Sequence, residues 1–147
     1  MKRLLPIALF TISLSASAVL PKEITRLLGK PGKLTSLYNG KPVQSEDGNT
    51  CEVLKSESSD NVIQINAGLS FTPSADLTNA KKEPSANATI YTTTYSGKRP
   101  GGSECGNSIM TNFVQRVIVD KQSISLVKTF RCNIFERVAI IEKCTVL

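Results

Sequence analysis

Two residue types with distinctive chemistry, histidine and tryptophan, are missing from this 147-residue chain, and only 5% of its residues are aromatic. Histidine is the usual general base near neutral pH and a frequent zinc ligand, so its absence disfavours acyl-transfer triads and ordinary zinc sites. The scarcity of aromatic rings likewise disfavours a surface on which nucleic-acid bases stack. From these absences we predict that the protein is not an enzyme and that it uses no metal, no cofactor and no nucleic acid.

The remaining acids and hydroxyls form no recognisable catalytic constellation. A serine–lysine pair is chemically possible because a buried lysine can act as a base, but Ser58 and Ser103 lie at no recognisable spacing from the lysines. A glycosidase would need two carboxylates in one cleft. Glu142 alternates with apolar residues in the last β-rich run, and we interpret it as a side chain at the exposed edge of the last strand, because acids are rarely buried.

The first 18 residues have the three parts of a secretory signal peptide. Lys2 and Arg3 supply the positive start, residues 4–14 form an apolar stretch, and Ala16 and Ala18 fit the small-residue positions of a cleavage site. The apolar stretch is well short of the ~20 residues that a membrane-spanning helix needs. We therefore predict Sec-type export with cleavage after Ala18, a secreted or periplasmic location, and no membrane span in the mature chain.

Removal of residues 1–18 would leave a chain long enough for one domain with a single core. We predict an N-terminal segment at residues 19–32 and a single β domain at residues 33–147. The full chain has 18 Lys and Arg against 12 Asp and Glu, which gives a net charge of +6. The cations are spread along the sequence, so this mild excess permits an acidic partner without requiring one.

A short helix is predicted directly after the cleavage site. Pro21 suits the first helical position, and Gly29 stands where a helix favours glycine as its C-cap. Ile24, Leu27 and Leu28 share a face at helical spacing. We interpret the segment as a chain terminus docked by these three side chains; the alternative is a lid or plug.

The rest of the chain has the composition and periodicity of strands joined by turns. In the clearest run, Ile124, Leu126, Phe130 and Cys132 alternate with residues of the other face. Residues 73–88 show no period and are predicted to form a surface loop. About seven or eight strands with short links predict an all-β antiparallel meander that closes into a small barrel or strongly curved sheet, with a two-sheet sandwich as the alternative. The predicted strands are residues 33–38, 50–55, 62–66, 69–72, 89–95, 112–119, 123–132 and 137–146.

The chain has four cysteines, Cys51, Cys105, Cys132 and Cys144, and export would carry them to an oxidising compartment, so two disulfides are expected. In a hairpin that turns near residues 134–135, Cys132 and Cys144 would lie roughly 20 Å apart along the strands, whereas a disulfide needs Cα atoms within about 7 Å. Two pairings then remain. We favour Cys51–Cys144 with Cys105–Cys132, and Cys51–Cys132 with Cys105–Cys144 stays open.

The segment YSGKRPGGSECG, residues 95–106, combines adjacent cations with proline, glycines and a cysteine. Lys98 and Arg99 are the candidate binding loop: a basic segment braced by a disulfide is how many secreted protease inhibitors present a rigid, substrate-like stretch. The glycines oppose that stiffness. The simpler interpretation is a hairpin connection.

The layout, a short helix before a secreted meander with a disulfide to the last strand, resembles that of the lipocalin-like families. The resemblance is architectural, because the Gly-x-Trp that those families commonly carry is replaced here by the stretch Ser36-Leu37-Tyr38-Asn39. No residue role is carried over. Small barrels often hold an apolar ligand in the mouth. We therefore predict non-catalytic binding of a small apolar molecule or of an anionic envelope component, with a protease inhibitor that presents Lys98 and Arg99 as the alternative.

Overall fold

The computed structural model describes residues 19–43, 49–68, 71–100, 102–106, 108–133 and 136–147. The predicted signal peptide and its cleavage site at Ala18 lie outside the described residues. So do the first half of the predicted strand at 69–72 and the turn expected at 134–135.

Extended segments dominate the described residues, and apolar side chains alternate with polar ones in the clearest of them, residues 123–132. One short helix, α1 (Lys22–Thr25), comes first, and a single turn of 3-10 helix spans Gly102–Cys105. The strands are β1 (Pro31–Tyr38), β2 (Lys41–Pro42), β3 (Thr50–Lys55), β4 (Val62–Asn66), β5 (Ser74–Asp76), β6 (Lys81–Pro84), β7 (Thr89–Tyr95), β8 (Arg99–Pro100), β9 (Ile109–Val119), β10 (Ser123–Cys132) and β11 (Glu136–Val146).

All the named strands belong to one antiparallel sheet. Nine of them follow the order β5-β4-β3-β1-β11-β10-β9-β7-β6, while β2 pairs with β1 and β8 pairs with β9. The long first strand therefore pairs with the last strand of the chain, as in a closing barrel, and the sheet stays open between β5 and β6. The result is an open, curled half-barrel. The prediction of an all-β fold with a strongly curved sheet is confirmed.

Strand positions agree with the sequence where hydrophobic alternation or strand propensity is strong. Predicted strands coincide with β3, β4, β7 and β10 residue for residue. The surface loop predicted at residues 73–88 is wrong, since β5 and β6 both form inside it. These two short edge strands are polar and owe their conformation to backbone pairing with β4 and β7 rather than to a pattern of their own.

The N-terminal segment docks against one end of the curled sheet. Ile24 and Leu27 are buried in the main core, and Leu28 bridges to Val53 just beyond the end of α1. Gly29 follows with φ +72°, the left-handed conformation that glycine adopts without strain. The helix is shorter than the spacing of Ile24, Leu27 and Leu28 suggested, but the docking by apolar side chains is as expected.

A polar cluster also fastens this segment. The Tyr91 hydroxyl donates a hydrogen bond to the Glu23 carboxylate, and Lys82 Nζ lies 3.1 Å from Glu23 Oε1. Burial and the Glu23 hydrogen bond raise the pKa of Tyr91, while the hydrogen bond from Tyr91 holds the pKa of Glu23 below its usual value. Arg26 adds a hydrogen bond of 2.6 Å from its guanidinium to the Asp120 carbonyl.

Two apolar clusters fill the inner, concave face of the sheet. The main one lies beneath α1 and contains Leu20, Ile24, Leu27, Leu34, Cys51, Val53, Ile63, Ile65, Ala75, Tyr91, Val117, Val119, Ile124, Leu126 and Cys144. The second lies at the other end of the long strands and contains Cys105, Met110, Phe130, Cys132 and Val138.

Each cluster contains one disulfide. Cys51 pairs with Cys144 across a Cα–Cα distance of 5.9 Å, and Cys105 pairs with Cys132 across 5.2 Å. The β10–β11 register places Cys132 opposite Glu136 and Cys144 opposite Ile124, so these two cysteines lie far apart along the hairpin. This is the pairing that the strand argument favoured.

The Cys51–Cys144 disulfide connects β3 to β11 across the intervening strand β1, and it passes Gly32. In the strand register Gly32 lies opposite Cys51 on one side and Val146 on the other. A Cβ atom on this residue would lie 2.7 Å from the Thr145 carbonyl oxygen and 2.9 Å from Cys144 Sγ. Glycine is therefore required here by space and not by backbone conformation.

Candidate functional site

The long strands β1, β9, β10 and β11 sort their charged residues by face. Successive side chains of a strand point to opposite faces, and the inner face is fixed by buried residues such as Leu34, Val117 and Ile124. Both acids of these strands, Glu136 and Glu142, share the inner parity with Lys128. The other five charged residues point outward, and we call this surface the basic face: Lys33, Arg116, Arg131, Arg137 and Lys143.

This arrangement corrects the interpretation that the cations are merely scattered. They are distant in sequence, but antiparallel pairing brings them to one surface on which these four strands carry no acid. Arg131 lies directly opposite Arg137 in the β10–β11 register. Like charges in directly opposed positions repel each other, so this pair concentrates positive charge at one point of the surface.

A groove of about 230 Å³ lies between the arginines of the basic face. We call it the arginine groove, and it is lined by Asn112, Val114, Arg116, Thr129, Phe130, Arg131 and Arg137. An irregularity in the ladder opens it: the β9–β10 register shifts between Thr129 and Arg131, and Asn112 has φ +53°. Such bulges twist a strand locally and redirect its side chains.

The arginine groove has a cation at each end. Arg116 lies opposite Val127, four residues along β10 from Arg131, which is about 13 Å at ~3.3 Å per residue. Thr129 lies midway between Val127 and Arg131 along β10. The groove therefore runs along β10, with the Arg131–Arg137 pair at one end and Arg116 at the other.

The chemistry of this groove suits an anion. Guanidinium groups present planar pairs of N–H donors that match phosphate, sulfate and carboxylate oxygens. The Thr129 hydroxyl and the Asn112 amide add neutral donors, and none of the described residues that line the groove is acidic. Because the side chains stand on paired strands, their positions are held more firmly than those of a surface loop.

The cavity that the described residues enclose on the concave side is small by comparison. A cavity of about 30 Å³ lies between the two apolar clusters and is lined by Phe71, Pro73, Glu104, Leu126, Lys128, Ile140 and Glu142. A water molecule needs about 10–15 Å³ by this measure of volume, so the cavity has room for about two waters. A ligand with several heavy atoms would have to displace side chains.

Glu142 lies beside this cavity, and its predicted position at an exposed edge is wrong. β11 lies between β1 and β10, so both of its edges are paired, and the Glu142 side chain is buried. Burial raises the pKa of Glu142, opposed by a hydrogen bond that Ser36 donates to its carboxylate and by the nearby charge of Lys128. The pairing of β1 with β11, which no local pattern reveals, is the reason for the error.

A larger groove, of about 380 Å³, opens beside the Cys51–Cys144 disulfide. Its described lining is mostly small and contains one carboxylate, that of Glu52: Gly29, Pro31, Thr50, Cys51, Glu52, Asn66, Ala67 and Gly68. Its size exceeds that of the arginine groove, but its described lining contains no cation. We therefore place the candidate site at the arginine groove.

The described part of the predicted loop lies outside this site. Lys98 is exposed and is not among the described residues that line the arginine groove, and the backbone of Arg99 forms part of β8 opposite Met110. The side chain of Arg99 lies outside the described part of the structure.

Arg116, Arg131 and Arg137 were not singled out in the sequence, although a signal was present. Each lies in a predicted strand, and the alternation within those strands places all of them outward. The register that brings them together could not be read locally.

A scan against protein-family models and a search of curated proteins both gave no match to this chain. Within the described ranges, no helix combines the length and apolar character needed to cross a membrane. Those ranges also hold no group of three or more acids and cysteines placed to bind a metal ion.

Proposed function

We propose that this protein is an exported, disulfide-stabilised β domain that binds an anionic component of the cell envelope, without catalysis, through the arginine groove. The observation that carries the proposal is the convergence of Arg116, Arg131 and Arg137 on one groove whose described lining contains no acid. Hydrogen bonds between guanidinium groups and anions are stronger than those between neutral groups.

The small size of the cavity among the described inner-face residues supports the anionic ligand over the apolar one. The 30 Å³ cavity is too small for an apolar molecule of several heavy atoms. The arginine groove needs no rearrangement to admit a phosphate or sulfate group. We therefore propose an anionic envelope component, and not a small apolar molecule, as the ligand.

Export is part of the proposal and rests on the residues at 1–18 together with the two disulfides. Disulfides persist in oxidising compartments and are rare in the cytosol. Mass spectrometry of the protein from the periplasm or medium tests this: the mass should correspond to a chain that begins at Val19 and should be about 4 Da below that of the reduced chain, since each disulfide removes two hydrogens. An uncleaved or fully reduced chain would contradict export.

Isothermal titration calorimetry with inorganic tripolyphosphate tests the groove. We expect binding that weakens as salt is added, because part of it is screened Coulomb attraction. Replacing Arg131 and Arg137 together by glutamine should weaken it by at least about tenfold, since a hydrogen bond to a charged group contributes about 1.5–3 kcal/mol.

The matched control is the pair Lys22→Gln and Lys55→Gln, which removes the same charge from exposed positions outside the basic face. It should leave the affinity within about twofold of the parent, because distant exposed charges are screened. Equal losses in both double variants would show that net charge and not the groove holds the anion. Absence of tripolyphosphate binding in the parent would end the proposal.

Protease inhibition through Lys98 and Arg99 is the second candidate. One observation favours it: Lys98 is exposed in the segment that leads to buried Cys105, whose disulfide ties that segment to β10. Inhibition of a trypsin-like protease that disappears in the Lys98→Ala, Arg99→Ala double variant would support this function. If the parent inhibits no such protease, the idea fails.

A further inference from the structure

An aliphatic row crosses the middle of the basic face. Leu37, Ile141 and Val127 lie side by side in register on β1, β11 and β10. All three are partly exposed, and they point away from the two apolar clusters of the inner face. Contiguous exposed apolar surface on a small domain is a common sign of an interaction site.

Cations flank this row. Arg116 extends it directly, as the β9 residue opposite Val127. Lys143 lies one row away on the outer face of β11, and Arg137 lies two rows away on the other side. Arginine and lysine lay their aliphatic stems along apolar surface while their charged ends reach outward. The basic face is thus apolar at its centre and cationic around it.

We propose that the basic face docks on the surface of an anionic lipid bilayer. This inference rests on the proposed function, since it names the anionic envelope component as lipid head groups. Charge complementarity selects the occupant: five cations stand on the four strands, with no acid on the same face of them. Apolar side chains at the centre with cations around them match the boundary between head groups and acyl chains.

A soluble linear polyanion is the competing ligand, and the aliphatic row decides against it. A polymer of phosphates or sulfates would contact Arg116, Arg131 and Arg137 but would gain nothing from Ile141 and Val127. A bilayer would contact both the cations and the aliphatic row of the basic face.

Co-sedimentation of the exported protein with vesicles tests the inference. Vesicles that contain phosphatidylglycerol should carry the protein down, and vesicles of phosphatidylcholine alone should not. Arg131→Gln with Arg137→Gln should reduce the bound fraction. Ile141→Thr should reduce vesicle affinity at least about fivefold, because it removes buried aliphatic surface, and should leave tripolyphosphate affinity unchanged.

Ile90→Thr is the matched control, since Ile90 is also partly exposed on the outer side but lies on β7, outside the basic face. It should bind vesicles like the parent. If Ile141→Thr does not fold, Val127→Thr replaces it. Glycerol phosphate in solution, at the phosphate concentration of the vesicles, should not displace the protein.

The outcomes separate this inference from the function on which it rests. Tripolyphosphate binding without vesicle binding would overturn bilayer docking and leave the arginine groove as an anion site. Vesicle binding that is insensitive to Ile141→Thr, or that glycerol phosphate abolishes, would also overturn docking in favour of a soluble anion. A protein that binds neither tripolyphosphate nor the phosphatidylglycerol vesicles would overturn both proposals.

Discussion

The inner and outer faces of β1, β9, β10 and β11 differ in chemistry although they share the same backbone. The inner face holds two apolar clusters, two disulfides and the buried carboxylate of Glu142. The outer face holds five cations around an aliphatic row. A single rule, the period-two alternation of strands, produces both. The comparison teaches that the inside of this half-barrel supplies stability and the outside presents the groups that can bind.

The largest expected effect belongs to the inner face, at Gly32. Gly32→Ala would place a methyl group 2.7 Å from a backbone oxygen and 2.9 Å from Cys144 Sγ, so the Cys51–Cys144 disulfide should strain or fail to form. We expect a loss of about 2–5 kcal/mol in the free energy of unfolding, as for removal of a native disulfide. Urea denaturation measures the loss in the free energy of unfolding, and thiol titration measures the cysteines that remain unpaired.

Gly40→Ala is the control, because nothing lies within 4 Å of the added Cβ there. Its cost should be limited to about 1–2 kcal/mol from the left-handed backbone conformation, with no free thiols. A Gly32→Ala variant that is as stable as Gly40→Ala and fully oxidised would refute the close approach at β1.

The second prediction sets one isoleucine of each face against the other. Ile124 is fully buried in the main cluster, and Ile141 is partly exposed on the basic face. Ile124→Ala should cost about 2–5 kcal/mol through lost burial and a cavity, and Ile141→Ala about 1 kcal/mol or less. Thermal or urea unfolding of both variants measures the two losses in the free energy of unfolding. Equal losses would mean that Ile141 is packed as tightly as a core residue.

The smallest effect concerns the acid that the inner face buries. Because the pKa of Glu142 is raised, its contribution to stability is present below the usual carboxyl pKa and is lost as pH rises through the raised value. Glu142→Gln does not titrate, so its stability relative to the parent should increase with pH across that window. Any constant cost of the amide cancels in this comparison.

Urea unfolding of the parent and Glu142→Gln at acidic and at neutral pH measures this change. Glu136→Gln is the control, because it makes the same substitution at an exposed position of the same strand. A difference between the parent and Glu142→Gln that stays constant with pH would show that Glu142 is solvated.

Much of the fold could be predicted from the sequence because its signals are local. Apolar–polar alternation and the strand propensity of Thr and Tyr located β3, β4, β7 and β10, and the length of the last hairpin disfavoured a bond between Cys132 and Cys144. The pairing of strands that are distant in the sequence could not be predicted. The pairing of β1 with β11 buries Glu142, and pairing with β4 and β7 makes strands of segments that have no strand pattern.

Only part of the candidate site could be predicted from the sequence. Alternation assigns Arg116, Arg131 and Arg137 to the outward side of their strands, but the bulge at Asn112 and the register across β9, β10 and β11 decide that they share a groove. Lys98 and Arg99 are adjacent in a glycine-rich loop and are therefore conspicuous in the sequence, whereas Arg116, Arg131 and Arg137 come together only through strand pairing.

Two-dimensional ¹H–¹⁵N NMR during a titration with tripolyphosphate tests the central claim most directly, because it reports on both faces at once. The account predicts that the amides of Asn112, Arg116, Thr129, Arg131 and Arg137 shift progressively, while those of Val53, Ile65 and Ile124 in the main cluster do not. Shifts concentrated at the groove around Gly29 and Asn66, or at Lys98, with the arginine groove unmoved, would contradict it.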